Sequence, residues 1–480
     1  MRESILLFVN GWEHRVSGED AFLTLSDFLR KRLSLCGTKI VCSEGDCGSC
    51  STLCGRLNAD GDAFQYQSID SCIRFVFQLD RCHIVTVEGL ASGDQLHPVQ
   101  EAMVKCHGSQ CGFCTPGFVM SMAGILEQND APTQEDWRYG LTGNLCRCTG
   151  YSPILEAGNQ LAGCAVRNLN EQYSPGEMIR QIEAASSNTV RIECDGSVVC
   201  CPRSLSEATE FLCEYPEAEI IAGATETGVR FNKGLCSATV WLDLNAVDNL
   251  ASASVVGNEL VMGARATWTD LERITQTYAT PFHDIVKVFG SPQIRNVATI
   301  GGNIINASPI ADSLPFLIAC DAMLTLVSKQ GTRNVPINDF FKGYKQIDLK
   351  PGELLSEIRM ALPPTDRKLR LYKVSRRRDL DISTFTGAIW VDLEGDTIKD
   401  AGIAYGAVGP TVLRLKQTES FLHGETFSLD TMRRAGDIAL QEITPLSDVR
   451  GGEEFRNQLA KNVLQKFFHE VQTASVEAVA

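Results

Sequence analysis

The cysteines of this chain gather in its first third, where their spacing is that of metal ligands. Twelve of the 19 cysteines lie in residues 36–148. Cys42, Cys47 and Cys50 form a C-x4-C-x2-C motif, and Cys72 follows at a distance. This is the plant-type spacing for the ligands of a [2Fe–2S] cluster. A zinc site, which more often uses C-x2-C knuckles, and a set of buried thiols are the alternatives.

Two glycines lie inside this first motif and predict a loop that wraps tightly. Gly45 and Gly48 can adopt the left-handed backbone conformation at little cost. That conformation turns amide N–H groups toward the sulfurs, where their hydrogen bonds stabilise a negatively charged cluster. The glycines therefore favour the cluster over ordinary buried thiols.

A second group of cysteines consists of two close pairs. Cys111 and Cys114 form C-x2-C, and Cys146 and Cys148 form C-x-C. Both pairs adjoin segments with helical apolar spacing, where first-turn N–H groups favour thiolates. Each pair alone is a weak signal, because C-x2-C is also a redox or zinc motif. Together the pairs predict a second metal site.

Two glycine-rich stretches could bind a diphosphate. The chain has neither G-x-G-x-x-G after a strand nor G-x4-G-K-[ST], which argues against a Rossmann or P-loop site. A pyrophosphate needs backbone N–H groups at close range, and Gly223–Gly228 and Gly301–Asn303 could supply them. Asp312 could accept hydrogen bonds from ribityl or ribose hydroxyls. Ordinary turns are the alternative.

The segments that must position these motifs predict several domains. Residues 4–90 show short β-rich runs with one helical stretch, which predicts a small α+β domain. Residues 96–165 carry apolar residues at helical spacing and predict a compact helical domain. Residues 166–195 are polar and predict an interdomain linker. Strand-like runs between Gly-rich turns then continue up to a Pro-Pro pair, and a last α+β segment follows it.

Composition and charge narrow the functional classes. The 480 residues allow about three domains of about 150 residues each. The net charge of −15 argues against a nucleic acid or an anionic membrane as the main partner. No stretch approaches the about 20 apolar residues of a membrane helix, and the N-terminus has no secretory apolar region. We therefore expect a cytoplasmic protein, whose thiols stay reduced.

Three motifs carry a resemblance to a known family. The runs "QCGFCTPGFVMSM" and "GLTGNLCRCTGY" resemble the helical [2Fe–2S] domain of the molybdenum hydroxylases, the family of xanthine dehydrogenase and aldehyde oxidoreductase. The run "CSEGDCGSCS" resembles the plant-ferredoxin-like domain of the same family. The resemblance implies that all eight cysteines of the two groups ligate clusters. It also implies a multidomain α+β fold, made of a plant-ferredoxin-like β-grasp domain (1–90), a helical-bundle [2Fe–2S] domain (91–165), the linker (166–195), a PCMH-like α+β FAD-binding domain (196–365) and a C-terminal α+β domain (366–480).

The two glycine-rich stretches resemble the loops that hold FAD in this family. The resemblance implies a set of FAD-binding residues, of which the last two match more loosely: Ile221, Ala222, Gly223, Ala224, Thr225, Glu226, Thr227, Phe289, Thr299, Gly302, Asn303, Asn306, Asp312, Leu354 and Lys373. Ala224 with Glu226 departs from the family pattern, in which many members have Gly or Asn and then Asp. The basic run Arg376–Arg378 resembles a loop near the flavin that affects NAD access, and a solvated loop is the alternative.

The resemblance also implies a relay with no catalytic residue in this chain. Electrons would pass from a molybdenum cofactor in a partner large subunit, through two [2Fe–2S] clusters, to FAD and on to NAD⁺. Too few residues follow the FAD region for a molybdenum domain, so we expect that partner and an α2β2 heterotetramer. Clusters and flavin on one chain favour the xanthine dehydrogenases. A hydroxylase of aldehydes or N-heterocycles, a free-standing electron carrier and a zinc-stabilised interaction module are the alternatives.

Overall fold

The computed structural model describes residues 1–164 and 166–477 and divides the chain into two compact units. The first comprises Met1–Asp248 and Gly290–Ala298, and the second comprises Asn249–Phe289 and the chain from Thr299 onward. Residue 165, the predicted end of the helical domain, and residues 478–480, the end of the predicted C-terminal domain, lie outside the described residues. Within the described ranges, no helix combines the length and apolar character needed to cross a membrane.

The N-terminal region folds as the β-grasp that the resemblance implied. Its strands are β1 (Ile5–Val9), β2 (Trp12–Val16), β3 (Ser51–Leu57), β4 (Phe64–Asp70) and β5 (Cys82–Val85). They form one sheet in the order β2-β1-β5-β3-β4, in which β1 and β5 are parallel and the other neighbours antiparallel. The helix Leu25–Lys31 packs on the sheet through Leu25, Phe28 and Leu29. Shorter helical turns complete the region: Gly18–Phe22, Ser71–Ile73, Val76–Leu79 and Val87–Leu90.

The next region is a bundle of short helices, as predicted. The helices are Pro98–Lys105, Thr115–Leu126, Gln134–Gly140 and Ser152–Asn159. Their apolar faces meet around Phe118, Met122 and Trp137. Gly158 lets the last helix approach closely, since a Cβ there would lie 2.8 Å from Cδ2 of Trp137.

The predicted linker 166–195 has secondary structure of its own. It contains the helices Leu169–Tyr173 and Gly176–Ala185 and a strand, Val190–Cys194. The second helix buries Met178, Ile182 and Ala185. These residues recur at helical spacing and form an apolar stripe, which the polar composition of the segment masks.

A second sheet completes the first unit. Its strands are β6 (Val190–Cys194), β7 (Ser197–Cys201), β8 (Glu219–Ile221) and β9 (Val240–Asp243). They lie in the order β6-β7-β9-β8, with β9 parallel to both of its neighbours. The helices Leu205–Glu214 and Thr227–Asn232 precede and follow β8, and the short helix Pro292–Arg295 belongs to the same unit. The predicted FAD region 196–365 is therefore shared between the two units.

The second unit begins with a five-stranded sheet. Its strands are β10 (Ala253–Val256), β11 (Glu259–Gly263), β12 (Met323–Ser328), β13 (Gly331–Pro336) and β16 (Leu354–Ala361), in the order β10-β11-β16-β12-β13. A small hairpin is formed by β14 (Phe341–Gly343) and β15 (Gln346–Ile347). The helices of this part are Trp268–Tyr278, Thr280–Lys287, Ile300–Ile305, Leu314–Ala319 and Ile337–Phe340.

The rest of the second unit is an antiparallel sheet with helices. The strands β17 (Lys368–Val374), β18 (Phe385–Glu394), β19 (Thr397–Gly406) and β20 (Leu413–Arg414) pair in sequence order. The helices Lys416–Leu422, Leu429–Ala439 and Glu453–Glu477 follow them. Ile389, Ile403, Met432, Leu464 and Phe467 share one core. With this part the multidomain α+β class is confirmed.

Candidate metal and cofactor sites

The first cysteine group comes together in a buried pocket of the β-grasp region. The loop before β3 carries Cys42, Cys47 and Cys50, and the turn after β4 carries Cys72. The thiol of Cys42 lies close enough to those of Cys47 and Cys72 for each to shift its pKa, and Cys72 affects the pKa of Cys50 in the same way. Cys47, Cys50 and Cys72 are buried, with at most 8% of their surface exposed. The structure thus brings all four predicted ligands of this group together.

The backbone of this loop bends where the glycines allow it. Gly45 and Gly48 have φ angles of +70° and +65°, in the left-handed region that glycine enters without a Cβ clash. The N–H of Glu44 donates to the Sγ of Cys42 at 3.4 Å. Both observations fit the wrapped loop that the sequence predicted, with an amide directed at a ligand sulfur.

The four thiols influence one another's protonation. Hydrogen bonds from Cys47 and Cys72 lower the pKa of Cys42. The hydrogen bond to Cys42, together with burial, raises the pKa of Cys47. Burial also raises the pKa of Asp70, whose carboxylate lies 3.5 Å from the Sγ of Cys50, to about 7. A thiolate is the form that ligates a metal, so the set has the chemistry of a shared metal site.

The second cysteine group forms two thiol pairs in the helical region. The Sγ atoms of Cys111 and Cys148 lie 3.5 Å apart. Cys114, which precedes the helix Thr115–Leu126, hydrogen-bonds with Cys146. Burial would raise the pKa of Cys146, but hydrogen bonds from the hydroxyl and N–H of Thr149 outweigh it and lower that pKa. All four predicted ligands of the second group are therefore close together as well.

The two cysteine loops are in direct backbone contact. The N–H of Leu145, next to Cys146, donates to the carbonyl of Cys47 at 3.0 Å. The side-chain amide of Asn144 donates to the carbonyl of Gly48 at 3.1 Å. Cys47 is thus linked by one hydrogen bond to Leu145, which is the neighbour of Cys146 in the chain.

The donor set fits a pair of binuclear clusters. Each group supplies four thiols and no imidazole, which is the ligand set of a [2Fe–2S] cluster. Within residues 1–164 and 166–477, no three His, Cys, Asp or Glu side chains are spaced to hold a single metal ion. Two cysteines per iron, arranged as pairs, are what a binuclear cluster requires.

The first predicted FAD loop, Ile221–Thr227, lies in the first unit. The Ala222 carbonyl accepts hydrogen bonds from Arg74 (3.1 Å), Gln78 (2.8 Å) and Asn245 (2.8 Å). Arg74 also donates to the carbonyl of Gly223, at 2.8 Å. Sequence reasoning missed these three anchors, because nothing local distinguishes a buried arginine or amide that serves a distant backbone.

The residue that departs from the family pattern has a strained backbone. Ala224 has a φ of +58°, a region where a Cβ is unfavourable and glycine or asparagine is common. Its side chain is buried, whereas Glu226 in the same loop is exposed. The loop keeps the backbone conformation of a glycine position although the residue is alanine.

The second predicted FAD loop lies in the second unit, and its backbone is uncovered at Gly302. The Thr299 hydroxyl accepts from the N–H of Gly302 at 3.1 Å. Gly302 is exposed, and among described atoms a Cβ on it would meet only that hydroxyl, at 3.0 Å. Asn303 accepts from Ser313, and Asn306 accepts from Lys345. The open backbone at Gly302 fits a group that must approach closely, such as a diphosphate.

A buried ion pair joins two of the predicted FAD residues. Lys373 and Asp312 form a salt bridge of 2.7 Å with 6% of each side chain exposed. The other oxygen of Asp312 accepts from Ser383 at 2.6 Å. The pair fixes Asp312 at this site and neutralises its charge. Leu354 is buried in β16, 1% exposed.

Phe289, the predicted flavin neighbour, is backed by a tryptophan. Its ring stacks on Trp268 with 3.7 Å between centroids and 9° between planes. Trp268 is fully buried and holds Phe289 in one orientation. No local pattern in the sequence marks this contact. The FAD role of these residues, and of the exposed run Arg376–Arg378, stays a prediction.

Three families of domains match this chain. Residues 86–159 match a [2Fe-2S] binding domain, and residues 191–363 match the FAD binding domain in molybdopterin dehydrogenase. Residues 370–471 match the CO dehydrogenase flavoprotein C-terminal domain. The second cysteine group thus falls inside a [2Fe-2S] binding domain.

Curated relatives extend the match to nearly the whole chain. Xanthine dehydrogenase 1 of Arabidopsis thaliana is 30% identical over 98% of this chain and 40% of its own length. Aldehyde oxidase 1 of Bos taurus is 29% identical over 97% of this chain and 39% of its own length. The chain spans about 40% of the curated relatives it matches.

Solved structures resemble part of the chain. A chain of carbon monoxide dehydrogenase from Hydrogenophaga pseudoflava shares 27% identity at a TM-score of 0.54, over 56% of this chain and 94% of its own. A chain of quinoline 2-oxidoreductase from Pseudomonas putida 86 shares 25% at 0.53, with the same coverage. The chain therefore carries a [2Fe-2S] binding domain and the FAD binding domain in molybdopterin dehydrogenase, and it is similar to xanthine dehydrogenases and aldehyde oxidases over nearly its whole length.

Proposed function

We propose that this chain is the electron-transfer subunit of a xanthine dehydrogenase, passing electrons from a partner's molybdenum site to FAD and NAD⁺. The observation that carries the proposal is the direct contact between two four-thiol groups, through Leu145 and Cys47, on a chain that also has an FAD-binding domain. When bound, the two clusters carry one electron each and the flavin collects a pair. The overall reaction converts xanthine, water and NAD⁺ to urate, NADH and a proton.

The first unit holds the relay from the second cysteine group to the flavin loop. Asn232, in the helix that follows this loop, donates to the carbonyls of Ser43 and Cys72 at 2.9 and 2.8 Å. Gly228 packs against Ile73, since a Cβ there would lie 2.4 Å from the Ile73 carbonyl oxygen. The chain's own residues thus hold the first cysteine group close to the flavin loop.

The exposed side of the second cysteine group suits a protein partner. Cys111 and Cys148 are exposed, and the nearby side chains of Phe113, Leu145 and Tyr151 are 38–49% exposed. Apolar side chains beside a redox centre favour a surface that another subunit covers. We assign this surface to the molybdenum subunit, in a heterotetramer. In a co-expressed complex, Phe113→Ser should weaken subunit association, and the equally exposed control Tyr278→Ser, which lies in the second unit, should not.

Metal and flavin content test the relay itself. Anaerobically prepared protein should contain about four irons per chain, two for each cluster, together with one FAD. Its reduced form should give two distinct [2Fe–2S] EPR signals. Zinc without iron would favour a zinc-stabilised module, and iron without FAD would favour a simple electron carrier.

Substrate and acceptor need the complex with the molybdenum subunit. We expect xanthine to reduce the flavin and NAD⁺ to reoxidise it, with the basic run Arg376–Arg378 attracting the anionic dinucleotide. Stopped-flow mixing of reduced enzyme with NAD⁺ or O₂ separates the two acceptors. Fast reoxidation by O₂ alone would contradict the NAD⁺ proposal.

A hydroxylase of aldehydes or N-heterocycles is the second candidate. It is favoured by the similarity to Aldehyde oxidase 1 and to the quinoline 2-oxidoreductase chain. Turnover of a substrate panel by the complex decides between the two. Oxidation of an aldehyde or quinoline without oxidation of xanthine would select this second function.

A further inference from the structure

One short segment leaves the second unit and belongs to the first. Gly290–Ala298 is part of the first unit, although the chain on both sides of it belongs to the second. The segment is flanked by Phe289 and Thr299, two of the predicted FAD residues. One of its residues, Gln293, is 0% exposed. A fully buried amide at this place needs a structural or functional reason.

Gln293 joins the surroundings of both cysteine groups. Its Nε2 lies 3.1 Å from the hydroxyl of Ser51, 3.1 Å from that of Ser121 and 2.9 Å from Oδ1 of Asn144. Ser51 follows Cys50 in the first group, and Asn144 is two residues before Cys146 in the second. Two amide protons therefore serve three acceptors drawn from both regions.

The orientation of the Gln293 amide follows from a single carbonyl. The Gly48 oxygen can only accept, and it takes hydrogen bonds from the Ser51 hydroxyl (2.8 Å) and from Nδ2 of Asn144 (3.1 Å). This leaves the Ser51 oxygen and Oδ1 of Asn144 as acceptors toward Gln293. The Nε2 of Gln293 must then face them.

The fit around Gln293 is tight because glycines line it. A Cβ on Gly143 would lie 2.0 Å from Oε1 of Gln293, and one on Gly48 would lie 2.3 Å from the Gly143 carbonyl oxygen. A Cβ on Gly117 would lie 2.1 Å from the Gly48 carbonyl oxygen. Among described residues, Oε1 of Gln293 has no hydrogen-bond partner. The amide is thus held by its donor side alone.

The rest of the segment is anchored on the same two regions. Ile294 packs with Cys50, Cys72 and Ile73. The guanidinium of Arg295 lies 4.8 Å from the ring centre of Tyr139, in the helical region. The segment therefore contacts both cysteine-bearing regions independently of Gln293.

We propose that Gln293 is a positioning residue that holds the two cluster loops at a fixed separation and thereby sets the rate of electron transfer between them. The inference rests on the proposed function, because it needs both clusters. The hydrogen bond between Leu145 and Cys47 joins the two loops directly. Gln293 adds a second link, because its amide donates to Ser51 beside one loop and to Asn144 in the other. Loss of the amide donors frees both loops to shift.

The test uses the full-length chain with its clusters and FAD. Gln293→Met keeps the volume and removes the donors. We expect unchanged iron and flavin content, an altered spin–spin splitting between the two reduced clusters in EPR, and at least about tenfold slower electron equilibration between clusters after a flash of deazaflavin photoreductant. Gln276→Met, at an exposed position, should leave splitting and rate unchanged.

A milder variant keeps the test decisive if Gln293→Met does not fold. Ser51→Ala removes one of the two acceptors through which Gln293 holds the cysteine loops, and it should slow equilibration in the same direction, but less. Wild-type splitting and rate in whichever of the two variants folds would overturn the positioning role and leave the relay intact. Wild-type protein without iron would instead overturn the proposed function.

Discussion

The two cysteine sites have the same ligands but opposite surroundings. In the first, Cys47, Cys50 and Cys72 are buried within the β-grasp region. In the second, Cys111 and Cys148 are exposed at the surface of the helical region. Burial isolates a redox centre from solvent, and exposure lets it exchange electrons with another protein. Under the proposed function, this difference suits the first site to the step inside the chain and the second site to the step from the partner.

Removing one ligand from each site gives the largest expected contrast. Cys50→Ala should abolish the first cluster and lower the melting temperature markedly, because the buried thiol is part of the packing around Ile73. Cys148→Ala should abolish the second cluster with little change in melting temperature. In both variants iron should fall from about four to about two atoms per chain. Iron analysis, EPR and thermal melting by circular dichroism measure this, and equal melting shifts would break the comparison.

The same contrast between buried and exposed groups applies to ion pairs. Lys373→Met leaves Asp312 buried without its cation and should cost about 3–5 kcal/mol of unfolding free energy. The matched control is Lys466→Met, which breaks an exposed pair with Glu470 and should cost at most about 1 kcal/mol. Urea unfolding of the full chain measures both. Similar costs would show that burial does not decide the strength of these pairs.

Protonation of a buried histidine should make stability depend on pH. Burial lowers the pKa of His83, which accepts from the N–H of Gly11, from 6.5 to about 3. The unfolded chain therefore binds a proton between these values that the folded chain does not. The contribution of His83 to the unfolding free energy is complete above pH 6.5. It is lost as the pH falls, by up to about 1.4 kcal/mol per pH unit.

Urea unfolding at several pH values between about 5 and 7 tests whether His83 causes this pH dependence. His83→Gln should flatten the dependence on pH, and the exposed control His469→Gln should leave it as it is. An unchanged slope in His83→Gln would show that another group is responsible.

The smallest effect is expected in the first FAD loop. The cluster loop uses Gly45 and Gly48 at positive φ, whereas the FAD loop has Ala224 there. Ala224→Gly should relieve about 1 kcal/mol of backbone strain, partly offset by the lost methyl group, and stabilise slightly. Ala224→Val should destabilise, because a branched side chain tolerates this region poorly. The unfolding free energies of both variants test this prediction. A higher unfolding free energy for Ala224→Val would contradict the strain at this position.

The sequence predicted what depends on local spacing. One loop carries Cys42, Cys47 and Cys50, so their spacing and the glycines between them were enough to predict a wrapped metal-binding loop. The two cysteine pairs were found in the same way, and the resemblance joined them. The β-grasp and helical regions followed from local periodicity and that resemblance.

Contacts between distant residues could not be predicted in this way. Gln293 meets Ser51 across 242 positions of the chain, and no local pattern marks such a partner. Arg74 donates to carbonyls that lie 148 and 149 positions further along the chain. The helices within the predicted linker were missed for a different reason, since the buried residues Met178 and Ile182 are few among many polar ones.

The place of Arg74 has a consequence for how the protein is built. It follows Cys72 by two residues and holds the carbonyls of Ala222 and Gly223. Under the proposed function, iron bound by Cys72 would fix the turn that carries Arg74, and Arg74 in turn holds the predicted FAD loop. Biosynthesis should run in one direction, with metal loading before flavin uptake, and iron-starved cells should yield a chain deficient in both.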